Sequence, residues 1–273
     1  MEILNFPRTE AVKIPRLGFG TYQITPGRDT EAAVLVALKE GYRHIDTAAL
    51  YGNEQAVGAA VRKSGLPRED VFVTTKLWHS DHGFQKAQQA FDRSLRKLGL
   101  DYVDLYLVHS PGRPGNRTET WQAMEAILES GKARSIGVSN YGVRHLQQLL
   151  RTCKYRPAVN QIELHPYNQH RDIVEFCEEH KIALEAYAPL TRGYRIKDPQ
   201  LAKVAKKYGQ TPAQILIRWG LQKNYVVLPK SVKPDRIREN MQVTDFEIAP
   251  EDVAFLDSLD EGLVTDWDPT VEP

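Results

Sequence analysis

With 273 residues, of which 41% are hydrophobic and 26% charged, the chain has the composition of a soluble globular protein with ample material for a core, which excludes disordered and fibrous classes. Its 36 lysines and arginines nearly balance 35 acidic residues, so no overall field attracts nucleic acid or an anionic membrane. Two cysteines can form neither a disulfide framework nor, at their spacing, a structural zinc site. There is no secretory signal pattern and no apolar run of about eighteen residues, so we expect a cytoplasmic protein that spans no membrane and holds no metal.

Short β-branched or aromatic segments alternate with longer amphipathic ones along nearly the whole sequence, which is the pattern of βα units around a parallel sheet. Strands are predicted at residues 17–21, 44–47, 71–76, 103–109, 135–140, 159–163, 183–188 and 226–229. Helical patterns between and after them cover residues 29–41, 53–65, 83–99, 118–132, 143–151, 171–181, 198–209 and 233–241. Glycines, among them Gly99 and Gly209, stand where helix C-terminal caps are expected, and Asp29 and Thr118 are candidate N-terminal caps.

Three further segments fall outside these eight units. Residues 2–15 are expected to form a short hairpin over the floor of a barrel, residues 211–224 an additional helix, and residues 249–260 a final helix before an irregular tail. No linker or shift of composition interrupts the series. We therefore predict an α/β fold in which residues 1–273 form one (β/α)8 TIM barrel domain, in preference to an open doubly wound sheet.

Polar residues at strand ends are the first candidates for a site, because a barrel of this kind carries its active site at the carboxyl ends of its strands. The second predicted strand contains Asp46, with Tyr51 shortly after it, while the third ends in Lys76 and the fourth in His109. Taken singly, each residue type is more often structural than catalytic. Three consecutive strands that bring an acid, a phenol, an amine and an imidazole to one rim indicate a catalytic site.

Several longer segments extend this picture along almost the whole chain. They are LGFGTY, GYRHIDTAALYGNE, TTKLW, DYVDLYLVH, GKARSIGVSN, NQIELHP, EAYAPL and LPKSVKPDRIRENM. Together with the four rim residues, they resemble segments of the aldo-keto reductase superfamily and occur in the same order as in that family. The resemblance implies NADP(H)-dependent reduction of aldehydes and ketones to alcohols on a (β/α)8 barrel.

The resemblance also implies a catalytic tetrad of Asp46, Tyr51, Lys76 and His109. Carbonyl reduction requires a hydride for the carbon and a proton for the oxygen. Tyr51 is the expected proton donor, and because a phenol has a pKa of about 10, a nearby cation such as Lys76 is needed to favour its phenolate. Asp46 would hold Lys76 charged, and His109 would donate to the carbonyl oxygen.

An NADP(H) site on the barrel rim follows from the same resemblance, since the sequence has no Rossmann glycine fingerprint. By composition alone, the segment after the last strand would be a solvated basic helix face. The resemblance implies instead that Lys230, Ser231 and Arg236 hold the 2′-phosphate, and hence that NADPH is preferred over NADH. The other implied cofactor residues are Val232 in the backbone-contacting stretch, Glu239 and Asn240 near the adenine, Ser139, Asn140 and Gln161 at the carboxamide, Tyr187 stacked on the nicotinamide, Gly20, Thr21 and Tyr22 near the ribose and pyrophosphate, and Asp46.

Aromatic residues near the rim are candidates for an apolar substrate site. Tyr22 and Trp78 are predicted to line it together with His109, and Trp121 and Trp267 are further candidates. The loop after the seventh predicted strand and the tail after residue 260 are both short. We therefore expect an open site that accepts small aldehydes and ketones.

Two alternatives remain open at this point. A lysine at a barrel strand end can also be a Schiff-base nucleophile, as in aldolases, although that leaves the basic segment after the last strand unexplained. The chain could instead be an NADP(H)-binding regulatory or sensor subunit with little turnover, and the complete tetrad argues against this. The resemblance favours a monomer whose partner is a small carbonyl substrate, with no nucleic acid and no membrane.

Overall fold

A computed structural model describes residues 3–5 and 13–273 of the chain. Its first elements are two antiparallel strands, β1 (Ile3–Asn5) and β2 (Lys13–Pro15). Ile14 of β2 is completely buried and belongs to the apolar cluster at the floor of the barrel, with Phe72, Leu105, Leu107, Val159, Val226 and Leu228. The predicted hairpin is confirmed for its two strands, and its turn, residues 6–12, lies outside the described residues.

Eight parallel strands form the barrel. They are β3 (Phe19–Gly20), β4 (His44–Asp46), β5 (Phe72–Leu77), β6 (Leu105–Val108), β7 (Ile136–Ser139), β8 (Val159–Glu163), β9 (Ala183–Tyr187) and β10 (Val226–Leu228). Each strand pairs with the next along the chain. The ring closes where Gly18 N donates to Val227 O at 2.9 Å and Val227 N donates to Arg16 O at 2.7 Å. The predicted (β/α)8 fold is confirmed.

Helices surround this barrel. Within the described residues they are α1 (Arg28–Lys39), α2 (Glu54–Lys63), α3 (Phe84–Leu98), α4 (Arg117–Glu129), α5 (Val143–Thr152), α6 (Arg171–Glu179), α7 (Pro199–Tyr208), α8 (Pro212–Gln222), α9 (Pro234–Met241) and α10 (Pro250–Asp257). The two helices predicted in addition to the eight units correspond to α8 and α10. Gly58 lets α2 approach α3 closely, because a Cβ there would lie 1.7 Å from the carbonyl oxygen of Leu98. Among residues 3–5 and 13–273, no helix is long and apolar enough to cross a membrane.

The glycine caps located two helix ends, whereas the two predicted N-terminal caps did not. Gly99 and Gly209 follow α3 and α7 with φ of 61° and 63°, the left-handed conformation expected of a C-terminal glycine cap. The predicted N-terminal caps are wrong, because Asp29 lies inside the first turn of α1 and Thr118 inside that of α4. The carboxylate of Asp29 still faces the positive end of the helix dipole, so an acid near this helix start has a physical reason.

Candidate active site

The four side chains predicted from the strand ends lie together at the carboxyl end of the barrel. Asp46 ends β4, Lys76 lies one residue before the end of β5, and His109 directly follows β6. Lys76 Nζ donates to Asp46 Oδ1 at 2.6 Å and to Tyr51 Oη at 3.2 Å. The rings of Tyr51 and His109 meet edge to face, with their centroids 5.6 Å apart. The fold therefore gathers all four residues into one constellation.

A short turn after β4 presents Tyr51 to this end of the barrel. A single 3-10 turn ends at Tyr51, and Gly52 follows with φ of 69°, which glycine adopts without strain. The side chain of Asn53 fixes the turn: its Nδ2 donates to Thr21 O at 3.0 Å, and its Oδ1 accepts from Thr47 Oγ1 at 2.7 Å. This buried network ties the segment that carries the phenol to the ends of β3 and β4.

Burial determines the protonation of these groups. Lys76 and Asp46 form an ion pair whose side chains are 0% and 5% exposed. Burial, reinforced by the negative charge of Asp46, raises the pKa of Tyr51 well above its usual value. Burial, reinforced by the positive charge of Lys76, lowers the pKa of His109 well below its usual value. At neutral pH the site therefore contains a neutral phenol and a neutral imidazole beside a buried ion pair.

A row of polar side chains from β7, β8 and β9 continues around the rim. Ser139 ends β7, and its Oγ donates to Gln161 O at 2.8 Å. Asn140 has φ of 62°, and its Nδ2 donates to His109 O at 2.9 Å while its Oδ1 accepts from Tyr187 Oη at 2.9 Å. The four residues predicted to hold a nicotinamide therefore form a connected row, and all four line the same cavity.

The residues predicted to hold a phosphate lie on the segment between β10 and α9. Lys230 lines the cavity, and Arg236 is exposed in the first turn of α9. In the described part of the chain, no acidic side chain forms an ion pair with either cation. Partial burial and the neighbouring charge of Arg192 lower the pKa of Lys230. Ser231 Oγ accepts from Lys233 N at 3.1 Å, which leaves its own proton available to an anion.

The residues predicted near the adenine belong to the same segment but do not line the cavity. Val232 is exposed, and Asn240 is buried in the last turn of α9. Glu239 Oε1 accepts from Thr211 Oγ1 at 2.8 Å, so this carboxylate links α9 to the start of α8. The contact of these three residues with a nucleotide stays a prediction.

The residues after β3 adjoin the tetrad from the other side. Gly20 and Tyr22 line the cavity, and the Tyr22 ring lies 4.9 Å from that of Tyr51. Thr21 is buried, and its Oγ1 donates to Asp46 O at 2.9 Å. Thr21 therefore supports the rim from within, whereas its two neighbours face the cavity.

The cavity has a volume of about 300 Å³, and its wall includes three tyrosines and two tryptophans. Trp78 lies with its ring 5.1 Å from that of His109, and Trp267 of the tail lies 6.1 Å from Trp78. Both tryptophans line the cavity. The candidate Trp121 is wrong, because it is buried in α4 with its Nε1 donating to Tyr155 O at 3.0 Å. Its amphipathic helix places that ring in the core.

Sequence reasoning missed several residues that line the cavity, namely Gln23, Arg192 and Asp266. Arg192 Nη1 pairs with Asp266 Oδ1 at 2.8 Å, and Arg192 Nη2 donates to Gln23 Oε1 at 3.2 Å. The carboxylate of Glu163 anchors the tail by accepting from Thr265 N at 3.1 Å and from its Oγ1 at 2.5 Å. The loop after β9 and the tail therefore both contribute to the cavity wall, and the openness of the site stays a prediction. No local sequence pattern predicts these contacts, because they join irregular segments that are far apart in the sequence.

Glu185 was also missed, although it lies completely buried within the barrel. Gln161 Nε2 donates to Glu185 Oε2 at 2.7 Å and to Asp46 Oδ2 at 2.9 Å. One signal was present in the sequence. Glu185 precedes Tyr187 by two residues on β9, and side chains two apart on a strand point to the same face.

Known proteins are similar to this chain in both sequence and fold. The model of the aldo/keto reductase family matches residues 16–261. A 9,11-endoperoxide prostaglandin H2 reductase of Trypanosoma cruzi is 46% identical over 262 residues, covering 95% of this chain and 92% of that protein. A glyoxal reductase of Bacillus subtilis is 41% identical over 250 residues, covering 92% and 90%. The structure of a Bombyx mori aldo-keto reductase in complex with NADP has a TM-score of 0.90 at 35% identity, covering 97% of this chain and 94% of that one.

Proposed function

Because the chain belongs to the aldo/keto reductase family, we propose that it reduces aldehydes and ketones to alcohols with NADPH and that Tyr51 is the general acid. The family and the named reductases among its relatives make it an oxidoreductase that acts on carbonyl groups. The finer proposal rests on one observation, the unbroken hydrogen-bonded series from Asp46 through Lys76 to Tyr51 at the cavity wall.

Lys230 at the cavity, with Ser231 and Arg236 on the segment that follows it, fits a nicotinamide dinucleotide phosphate. Lys230 and Arg236 are cations without an acidic partner among the described residues, and Ser231 has a free hydroxyl proton. Such a group suits a phosphomonoester. The Bombyx mori relative, which holds NADP, aligns with nearly the whole chain. When bound, the reduced nicotinamide supplies the hydride for the carbonyl carbon.

Tyr51 would supply the proton for the carbonyl oxygen. Its hydroxyl accepts a hydrogen bond from Lys76 Nζ, so its own proton remains available to an acceptor in the cavity. The raised pKa keeps that proton on the phenol until a developing alkoxide lies beside it. As the proton leaves, the ammonium 3.2 Å away stabilises the phenolate, and Asp46 keeps the ammonium charged and in place.

His109 would hold the carbonyl oxygen for this transfer. Its lowered pKa keeps the imidazole neutral, so it donates one hydrogen bond and does not replace Tyr51 as the acid. Its ring centroid lies 5.6 Å from that of Tyr51 and 5.1 Å from that of Trp78. A carbonyl oxygen that accepts from both the phenol and the imidazole has its developing charge stabilised by two fixed donors.

The substrate class is proposed from the cavity wall and the relatives. Tyr22, Trp78, Trp267 and Leu50 give the cavity an apolar lining suited to the body of an aldehyde or ketone. The Bacillus subtilis relative is named for glyoxal and the Trypanosoma cruzi relative for a prostaglandin, so the same fold serves small and large substrates. We place this chain among reductases of small aldehydes and ketones.

We also propose that the protein acts as a monomer in the cytoplasm. Both of its cysteines, Cys153 and Cys177, are free, which suits a reducing compartment. The expected elution in size-exclusion chromatography is that of a 31.0 kDa species. A dimer at micromolar concentration would contradict the monomer.

The deciding experiment measures the decay of NADPH absorbance with a panel of aldehydes and ketones, and repeats it with NADH. We expect turnover of small aldehydes with NADPH and weaker turnover with NADH. NADPH binding without turnover of any substrate would favour a sensor function over the proposed reductase. Failure to bind NADPH at all would reject the cofactor proposal.

Tyr51→Phe tests the acid directly. We expect it to lower kcat by about 100-fold or more, the usual contribution of a positioned general acid, while the Kd for NADPH changes little. The matched control is Tyr194→Phe, because Tyr194 is 65% exposed and does not line the cavity. Full activity in Tyr51→Phe would remove Tyr51 from the donor role.

A further inference from the structure

A buried carboxyl lies beneath the row of cofactor residues and has no place in the proton transfer proposed above. Glu185 is completely buried on β9, opposite Gln161 of β8 in the strand register. Its Oε2 accepts from Gln161 Nε2 at 2.7 Å, and its Oε1 has no hydrogen-bond partner among the described residues. A buried polar group with one unused oxygen is costly to stability, so its presence at this position calls for an explanation.

The contacts of Gln161 determine which end of its amide faces the cavity. Asp46 is paired with Lys76, so its carboxylate can only accept hydrogen bonds, and the Gln161 group 2.9 Å from Asp46 Oδ2 must be the NH2. The second N–H of the same nitrogen goes to Glu185. Both donors are therefore used inside the barrel. Within the described part of the chain the Oε1 of Gln161 accepts no hydrogen bond, and the residue lines the cavity.

Burial favours the neutral form of Glu185, which can hold this amide without disturbing the ion pair. Burial, reinforced by the negative charge of Asp46, raises its pKa to about 8, against smaller opposing effects of Gln161 and Lys76. These groups come from β4, β5 and β8. An uncharged carboxyl gives Gln161 an acceptor and leaves Asp46 as the counter-ion of Lys76.

We propose that Glu185 is a positioning residue, which together with Asp46 locks the Gln161 amide so that its carbonyl oxygen is presented to an amide N–H donor in the cavity. This inference rests on the proposed NADP(H) function, in which that donor is the NH2 of the nicotinamide carboxamide. Glu185 touches neither cofactor nor substrate and acts through Gln161. Without it, Gln161 retains one anchor and can rotate about its terminal torsion.

The test compares the binding of two oxidised cofactors, NADP+ and its 3-acetylpyridine analogue, in which a methyl group replaces the carboxamide NH2. The Kd values are measured by calorimetry on the full-length protein, so the result does not depend on activity. For the wild-type protein we expect NADP+ to bind about tenfold more tightly, because the analogue leaves the Gln161 oxygen without a donor. Glu185→Met and Glu185→Ala should reduce this preference to about twofold or less, mainly by weakening NADP+ binding.

Two further variants separate positioning from general damage to the core. Glu185→Gln should keep the preference, since its amide oxygen can accept from Gln161 Nε2 in the same way. Thr74→Val should also keep it, because Thr74 Oγ1 is within 3.0 Å of His44 Nε2 in the barrel interior and does not touch Gln161. The Tm of each variant shows which of them fold.

Each outcome supports or overturns the inference. The inference is supported if Glu185→Met and Glu185→Ala lose the preference for NADP+ over the analogue while Glu185→Gln and Thr74→Val keep it. Equal binding of both cofactors to the wild-type protein would overturn it. So would an unchanged preference in Glu185→Met and Glu185→Ala, or loss of the preference in Glu185→Gln. A wild-type protein that binds neither cofactor rejects the proposed function itself, which is a different result.

Discussion

The ion pair between Lys76 and Asp46 can be compared with a second pair of the same length. Lys76 Nζ lies 2.6 Å from Asp46 Oδ1, with side chains 0% and 5% exposed, while Lys63 Nζ lies 2.6 Å from Glu31 Oε1, with side chains 62% and 28% exposed. The two pairs share one N–O distance and differ in burial. Lys76→Met and Lys63→Met therefore compare a buried ion pair, whose lysine also donates to Thr47 O and Tyr51 Oη, with an exposed one.

Removing one partner of a buried pair leaves a charge that neither water nor a counter-ion compensates, which costs about 3–5 kcal/mol. The same change in an exposed pair costs less than about 1 kcal/mol, because water solvates the remaining partner. We therefore expect Lys76→Met to lower the free energy of unfolding by about 3–5 kcal/mol and Lys63→Met by less than about 1 kcal/mol. The double variant Lys76→Met/Asp46→Asn should cost less than the sum of its two single changes, because it leaves no unpaired charge.

Urea unfolding at pH 7, with wild-type and variants compared at equal protein concentration, measures these differences. Aldehyde reduction by the folded Lys76→Met protein should also fall about 100-fold or more, since the phenolate of Tyr51 loses its cation. Equal destabilisation by the two lysine variants would refute the argument from burial. Additive losses in the double variant would show that Lys76 and Asp46 do not depend on each other.

Three further predictions follow from other parts of the structure. Arg236→Ala should raise the Kd for NADPH by about tenfold or more and leave the Kd for NADH nearly unchanged, as measured by fluorescence titration. An equal rise in both Kd values would place Arg236 away from the 2′-phosphate. Gly58→Ala should lower the free energy of unfolding, measured in urea, by about 3 kcal/mol or more, because its Cβ would lie 1.7 Å from Leu98 O. The control Gly115→Ala adds a Cβ with no atom of the described residues, beyond its chain neighbours, within 4 Å, so it should change this free energy by about 0.5 kcal/mol at most. Burial lowers the pKa of His44 from 6.5 to about 4. Between these pH values the unfolded chain binds a proton at this residue that the folded chain does not, so the free energy of unfolding should fall as the pH drops from 6.5 to 4. The contribution of His44 to this loss of stability is on the order of 3 kcal/mol. His44→Gln should therefore flatten the slope of unfolding free energy against pH, and an unchanged slope would show that His44 does not contribute.

Regular features of the fold were predictable because their signals are local. The strand predicted at 159–163 has the bounds of β8, since a short run of alternating and β-branched residues reports directly on a strand. The grouping of Asp46, Lys76 and His109 followed from a topological rule, because parallel strands place their carboxyl ends on one rim. Distances such as the 2.6 Å ion pair required coordinates, but the meeting of these residues did not.

Features that depend on irregular segments were not predictable in the same way. The pair of Arg192 with Asp266 joins the loop after β9 to the tail, and nothing in either segment alone indicates the other. Glu185 was overlooked for a different reason. A glutamate in an apolar strand is usually assigned to the solvent side, and only its spacing from Tyr187 indicated the interior. Trp121 failed because an aromatic residue on an amphipathic helix faces the core more often than a cavity.

The rim from β4 to β9 divides into two contiguous halves. The groups proposed to handle the proton come from β4 to β6 and the turns after them, and those proposed to hold the nicotinamide come from β7 to β9. Among the residues that the structure describes, two side-chain hydrogen bonds join the halves, from Asn140 Nδ2 to His109 O and from Gln161 Nε2 to Asp46 Oδ2, each at 2.9 Å. Such an arrangement is modular. The Asn140 bond ends on a main-chain carbonyl, so it does not depend on the side chain at position 109, whereas the other bond joins two side chains. The loops of one half can therefore vary without affecting the other half, and we expect epistasis between the halves chiefly at Gln161 and Asp46.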